Sequence, residues 1–184
     1  SKYVYGDGDG DTIEITNSIV IDGNGAVIDM QNSGKRAFNV TASYLTIKNL
    51  TIMNSKYDGA GGAIQLIGSS IIVENCNFIN NNATFGGAVY LDGSGTLTDC
   101  NFINNNATFG GAVYLDDSGT LTNCNFNNNS AKSGGAVFIY KSGTVTNCNF
   151  TGNTANGKPN TLPSYADGGA ICMDSGNVSN CNFI

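Results

Sequence analysis

A repeat with a period of 24 residues is the feature that most constrains how this chain folds. The segment CNFINNNATFGGAVYLD spans positions 76–92 and occurs again, letter for letter, at positions 100–116. A fixed period in the twenties is typical of solenoid proteins, in which each repeat forms one turn and packs only on the turns beside it. The same step of 24 residues separates the cysteines Cys76, Cys100, Cys124 and Cys148 and the glycines Gly86, Gly110 and Gly134.

The residue pattern inside each repeat predicts strands rather than helices. The segments TLTDCNF and AVYLD alternate apolar and polar residues with period two, and they contain β-branched and aromatic side chains. Gly-Gly, Asn-rich and Ser-Gly stretches separate them and give about three bends per repeat. The sequence therefore predicts an all-β fold, a right-handed parallel β-helix (solenoid) of about seven coils with roughly 24 residues in each.

The repeats also predict the domain organisation. We expect residues 1–184 to form a single domain, with residues 1–30 as an N-terminal cap and first coil and residues 31–184 as the repeat coils. The sequence stops in the middle of a repeat, so we expect an open last coil with unpaired strand edges. We expect this coil to make end-to-end contacts and the chain to be a fragment of a longer protein.

The spacing within TLTDCNF predicts which side chains point inward. Leu97, Cys100 and Phe102 all face the core only if the chain bends between Leu97 and Cys100. Asn and Asp tolerate the left-handed backbone that such a bend uses. The predicted bend column is Asn49, Asn75, Asp99, Asn123, Asn147 and Asn180. The predicted inward columns are Ile52, Phe78, Phe102, Phe126, Phe150 and Phe183; Leu50 with the cysteines; and Val89/Leu91, Val113/Leu115 and Val137/Ile139.

Two further ladders follow from stacking identical coils. The Asn runs after each Phe are expected to form hydrogen-bonded amide ladders that satisfy the bent backbone. The cysteines are expected to form a column of buried thiols, because an odd number of members in parallel register fits thiols better than disulfides, the alternative in an exported protein. The cysteine column is Cys76, Cys100, Cys124, Cys148 and Cys181, whereas Cys172 belongs to a different position of the repeat.

Composition and charge argue against several functional classes. The net charge of −6 and the single arginine, Arg36, give no basic face, so we expect no nucleic-acid partner. No apolar run is long enough to span a bilayer, so we expect no membrane span in this chain. Without histidine, and with Asp116-Asp117 as the only acid pair, the chain lacks an evident catalytic set, and we expect it not to be an enzyme. A polysaccharide-degrading β-helix enzyme is the rival interpretation, and a spacer without ligand is a third.

Two interleaved motifs carry a family resemblance. The GGA[IV] motif begins at Gly61, Gly86, Gly110, Gly134 and Gly168, and the FxxN motif begins at Phe78, Phe102, Phe126 and Phe150. These motifs resemble the repeats of polymorphic outer-membrane proteins. With RAFNVTASYLTIKNLTIMNS and the heavy use of Asn, residues 11–184 resemble the adhesin-like surface proteins of methanogenic archaea. The resemblance implies an extracellular, cell-surface β-helix for cell adhesion, whose partner is a surface glycan or protein of another cell, and it supplies no catalytic residues.

An aromatic column is the first candidate binding site. If Val89 and Leu91 face inward, Tyr90 faces outward, and with Tyr114 and Phe138 it would form an exposed stripe that meets a sugar or a protein. The alternative is a self-stacked ladder that stiffens the sheet. The full column is Gln65, Tyr90, Tyr114, Phe138 and Cys172.

Two segments outside the regular repeat supply the remaining candidates. The insertion GKPNTLPSYAD at positions 157–167 contains both prolines and Tyr165, and a loop on a rigid scaffold is a common place for recognition. The segment DGDGD places Asp7, Asp9 and Asp11 at alternate positions, which suits calcium. It departs from the full calcium-loop pattern, so a solvated turn is the alternative, and we expect no cofactor other than calcium.

Overall fold

The chain folds into a parallel β-helix whose strands line three faces. The computed structural model describes residues 2–4, 12–157 and 168–184. Every strand pairing in these ranges is parallel and joins one turn to the next. We call the three faces A, B and C in the order in which the chain visits them within one turn.

Some strands bend from one face to the next, and the others belong to a single face. Strands β2 (Ile13–Ile15), β4 (Phe38–Val40), β10 (Val113–Leu115), β14 (Val137–Ile139) and β18 (Ile171–Met173) form face A. Face B contains β11 (Ser118–Thr122), β15 (Ser142–Thr146) and β19 (Asn177–Ser179). Face C contains β1 (Lys2–Val4), β7 (Asn77–Ile79), β9 (Asn101–Ile103), β12 (Asn125–Asn127), β16 (Asn149–Thr151) and β20 (Asn182–Phe183). Two strands continue from face A into face B: β6 (Ile64–Glu74) and β8 (Val89–Thr98). Two others continue from face B into face C: β3 (Ile19–Asp29) and β5 (Tyr44–Met53). A separate two-stranded sheet consists of β13 (Ser130–Ala131) and β17 (Thr154–Ala155).

The register between turns confirms the predicted repeat. Val89 pairs with Val113 and Val113 with Val137, so the step of 24 residues is also the step from one turn to the next. The described residues make about six turns, from Ile13 on face A to Ile171. The sequence predicts about seven, and the predicted parallel β-helix is confirmed.

The predicted inward columns form one continuous core. Phe78, Phe102, Phe126 and Phe150 are buried, and their rings stack in sequence with centroids 5.1, 4.8 and 4.7 Å apart. Such a pair contributes about 0.5–1.5 kcal/mol beyond the area that it buries. Phe183 continues the predicted column, because it pairs with Phe150 and stacks on it with centroids 4.9 Å apart, but in this last strand it is exposed. The core also contains Leu50, Ile52, Val89, Leu91, Val113, Leu115, Val137 and Ile139, as predicted.

The bend column adopts the predicted left-handed backbone. Every member has a φ between 50° and 56°, where the short polar side chain of Asn or Asp is tolerated. The confirmed members are Asn49, Asn75, Asp99, Asn123, Asn147 and Asn180. A second left-handed column, which the sequence reasoning missed, follows the Phe column by two residues and includes Asn80, Asn104 and Asn128.

The buried amide ladder satisfies the corner between faces C and A. The Asn105 Oδ1 accepts from the backbone N–H and from the Nδ2 of Asn81, at 2.9 and 3.1 Å. Its Nδ2 donates to the Phe78 carbonyl and to the Asn129 Oδ1, both at 3.0 Å. Asn129 repeats the same bonds toward Asn153 and the Phe102 carbonyl. The predicted ladder is therefore confirmed, and it gives a buried bend the hydrogen bonds that water would otherwise supply.

The cysteine column consists of free thiols. All six cysteines of the chain are unpaired, and those of the column from Cys76 to Cys148 are buried. The Cys100 Sγ lies 3.2 Å from the Thr98 carbonyl and 3.6 Å from the Val73 carbonyl, so the thiol donates within its own turn and to the preceding one. Hydrogen bonding with Cys124 and Cys76, together with burial, raises the pKa of Cys100 well above the ordinary value. The predicted thiol column is thus confirmed.

The two glycines of each GGA motif are required for different structural reasons. Gly110 has a φ of 64°, a conformation that L side chains rarely adopt. Gly111 lies where a Cβ would overlap the carbonyl oxygens of Gly135 in the next turn and of Ser130. Close approach of two backbones, rather than backbone conformation, therefore excludes a side chain at Gly111.

We predict that Gly111→Ala lowers the free energy of unfolding by about 2–4 kcal/mol, because the neighbouring turn cannot move aside without breaking its pairing. Gly169→Ala is the matched control: it occupies the same place in a later turn, where no atom of the described residues lies within 4 Å of the added Cβ. Urea unfolding of both variants measures the difference. Equal midpoints for the two variants would contradict the argument.

Candidate functional site

The predicted aromatic column exists, and its rings stack along the rod. Tyr90 pairs with Tyr114 and Tyr114 with Phe138 in the face A ladder. The ring centroids are 5.3 Å apart in the first pair and 5.2 Å apart in the second, with the planes nearly parallel. These side chains point away from the main core, as the alternation of the strand requires.

A second row of aromatic side chains covers this column. Phe85 and Phe109, from the segment just before each GGA motif, stack on each other with centroids 5.6 Å apart. Phe85 meets Tyr114 edge-on at 5.5 Å, and Phe109 meets Phe138 edge-on at 5.4 Å. Tyr114 is consequently 7% exposed and Phe138 1% exposed.

The prediction of an exposed aromatic stripe at Tyr114 and Phe138 is therefore wrong. Period-two alternation tells which side of a strand a residue occupies, but it does not tell whether another segment lies over that side. Here NATFGG folds back and buries the column in a small second apolar cluster. The sequence signal was present, since Phe85 and Phe109 repeat with the same 24-residue step. The geometry matches the alternative interpretation of the column, a ladder of aromatic rings that stack on one another.

Tyr90 is the half-buried end of the column. Burial raises the pKa of Tyr90 well above the ordinary value, and the neighbouring carboxylates of Asp116 and, to a smaller extent, of Asp92 add to this shift. The hydroxyl therefore stays protonated throughout the neutral range. Its role is to close the aromatic cluster against solvent.

A buried cation caps the same column on the other side. Arg36, the only arginine, places its guanidinium carbon 3.9 Å from the centroid of the Tyr57 ring and donates to the Gln65 Oε1. Gln65 pairs with Tyr90 in the ladder, so this contact continues the column by one turn. Arg36 is buried, and the cation–π contact and amide bond give it partners there.

Three columns of hydroxyl side chains run along face B. Thr96, Thr120 and Thr144 pair in one column and Thr98, Thr122 and Thr146 in the next. Ser118 pairs with Ser142 in a third. In the turns that contain these columns, the outward side of face B is thus a polar and uncharged surface. Each turn presents hydroxyl groups there, and a hydroxyl can both donate and accept a hydrogen bond.

The other candidate residues stay as predictions. Tyr165 and the three aspartates Asp7, Asp9 and Asp11 lie outside the described residues. Within residues 12–157 and 168–184, no three His, Cys, Asp or Glu side chains come together as a metal site. In the same described part of the chain, no helix is long and apolar enough to cross a membrane.

We predict that Tyr90→Phe makes the protein less sensitive to alkali. Tyr90 is neutral in the folded chain but ionises near pH 10 when unfolded, so wild-type stability falls as pH rises above about 10 toward the raised folded pKa. The variant lacks this loss. Asp116→Asn, which removes the neighbouring charge, should reduce the wild-type dependence. Urea unfolding midpoints between pH 8 and 11 measure this pH dependence of stability. If the midpoints of wild type and Tyr90→Phe changed in parallel with pH, the raised pKa of Tyr90 would be refuted.

Comparison with known proteins supports the fold. A family profile described as right handed beta helix region matches residues 3–183, almost the whole chain. Searches of curated proteins and of solved structures found no match. The profile agrees with the predicted handedness and with the parallel pairing of the turns. The chain belongs to the right-handed β-helix family.

Proposed function

We propose that this chain is a non-enzymatic, extracellular, adhesin-like rod of the cell surface that attaches its cell to a glycan or protein of another cell. The observation that carries the proposal is the repetition of outward side chains in register, as in Thr96, Thr120 and Thr144. A ligand with repeating units contacts several equivalent positions of such a surface at once, which raises its overall affinity. The resemblance to adhesin-like surface proteins of methanogenic archaea supports the same proposal.

The distribution of residue types favours binding over catalysis. A catalytic centre brings unlike groups together at one point, whereas the outward columns of the middle turns repeat like groups. The Asp116-Asp117 pair has structural neighbours, because the Asp116 carboxylate contributes to the raised pKa of Tyr90 and Asp117 pairs with Lys141 at 3.7 Å. These neighbours support a structural role for both carboxylates.

We predict that the purified chain binds a subset of a glycan array or intact partner cells and releases no sugar from polysaccharides. Both measurements use the same preparation, with a parallel β circular dichroism spectrum as the check on folding. Release of reducing ends or of unsaturated products would establish an enzyme. A folded chain that binds no glycan, no cell and no immobilised surface would leave the ligand-free stalk as the function.

The proposed location has its own test. Protease treatment of intact source cells should remove the protein, since a surface rod is accessible from outside, while a cytoplasmic marker persists. Survival of the protein in intact cells, together with its loss after lysis, would overturn the extracellular assignment.

A further inference from the structure

We propose that a neutral polysaccharide chain binds along an open groove on face B, with one sugar ring on Tyr44. This inference rests on the proposed adhesive function and names its site and ligand class. The groove, here called the serine groove, is lined by Ser70, Ser94 and Ser118 on one side and by Ile72, Thr96 and Thr120 on the other. It runs along the rod axis over three successive turns.

The serine groove begins at an irregularity of the ladder. Between Gly68 and Ile71 the register shifts, so that Ser69 and Ser70 together face Ser94 of the next turn. An extra residue of this kind bends the strand and interrupts the regular pairing. The Ser94 hydroxyl donates to the Ser69 carbonyl at 2.7 Å, which fixes its orientation and leaves its lone pairs for a ligand.

Tyr44 provides an aromatic surface in the turn before the groove, next to Ser70 in the ladder. It pairs with Ser70, so it occupies the same column one turn earlier, and it is 43% exposed. The Thr46 hydroxyl donates to the Tyr44 hydroxyl at 3.3 Å, which places the ring along its own strand rather than upright in solvent. The apolar face of a sugar ring packs on such an exposed aromatic side chain. Ile72 is also exposed and adds apolar surface beside it.

The hydroxyl groups behind Tyr44 match the polar edges of a sugar chain. Ser70 and Ser118 are exposed, and within the described part of the chain their hydroxyls have no hydrogen-bond partner. A serine hydroxyl both donates and accepts, as a sugar hydroxyl does. Successive turns lie about 4.8 Å apart, close to the length of one sugar unit in an extended polysaccharide, so a chain that follows the axis meets a hydroxyl at each turn.

Charge selects a neutral rather than an anionic polymer. The serine groove contains no charged side chain. The depression beside it shares Ser94 and Ser118 and adds Asp92, whose carboxylate can accept a hydrogen bond from a neutral hydroxyl and repels anions, and Asp117, which is paired with Lys141. The chain as a whole carries −6, which opposes the approach of acidic polysaccharides.

The test compares three variants with wild type by affinity electrophoresis and calorimetry on neutral β-glucan, galactomannan and chitin oligosaccharides, with polygalacturonate as the anionic probe. Tyr44→Ala removes the ring, and Ser94→Arg fills the groove. Tyr140→Ala is the matched control, because Tyr140 is 38% exposed but does not line the groove. We expect wild type and Tyr140→Ala to bind a neutral polymer equally and the two groove variants to bind about tenfold more weakly.

The outcomes separate the two proposals. Equal binding by wild type and both groove variants would overturn the serine groove while leaving adhesion intact. Preference for polygalacturonate would overturn the neutral ligand. If wild type binds none of these glycans but still attaches to cells, the groove proposal fails and the adhesive function continues through a protein partner. Circular dichroism and thermal midpoints of the variants confirm that each is folded.

Discussion

Parallel pairing in register is the constraint on which this structure depends. In the strands, the backbone of one turn bonds to the equivalent strand of the turn beside it, so each strand residue lies against its counterpart 24 positions away in the regular region. A side chain that interacts favourably with its own kind therefore gains that interaction at every turn, and one that interacts unfavourably is penalised at every turn. Phe columns gain stacking, amide columns gain hydrogen bonds, and charged columns would repel. The low charged fraction of 12% fits this rule.

The corners of each turn are as constrained as the core. Strands lose their partners where the chain bends, and buried backbone without partners is costly. The amides of Asn81, Asn105 and Asn129 replace those partners from inside. At the GGA corner the solution is different: Gly110 takes the left-handed conformation and Gly111 allows the next turn to approach. Asn and Gly are abundant because the fold has corners at every turn.

The sequence was sufficient for the features that depend on period. The 24-residue step, the inward columns and the left-handed Asn column follow from local spacing, and all are found, apart from the exposure of Phe183. It was insufficient where one segment lies over another. Tyr114 and Phe138 were expected at the surface, but Phe85 and Phe109 cover them from outside the strand. Tyr44 was overlooked for a related reason, since its column is otherwise made of serines and only the structure shows that the ring lies one turn before the serine groove.

Recognition on a regular rod requires a place where the regularity stops. Identical columns give affinity that grows with the length of the contact, but they do not fix where along the axis a ligand begins. In this chain Tyr44 replaces a serine and the shift at Ser69 and Ser70 opens the ladder, and both lie next to the uninterrupted hydroxyl columns. If the proposed polysaccharide binds here, the irregular start beside the regular hydroxyl columns defines its register as well as its affinity. On this proposal, the specificity of the surface arises at the ends of the best-preserved repeats rather than at their centre.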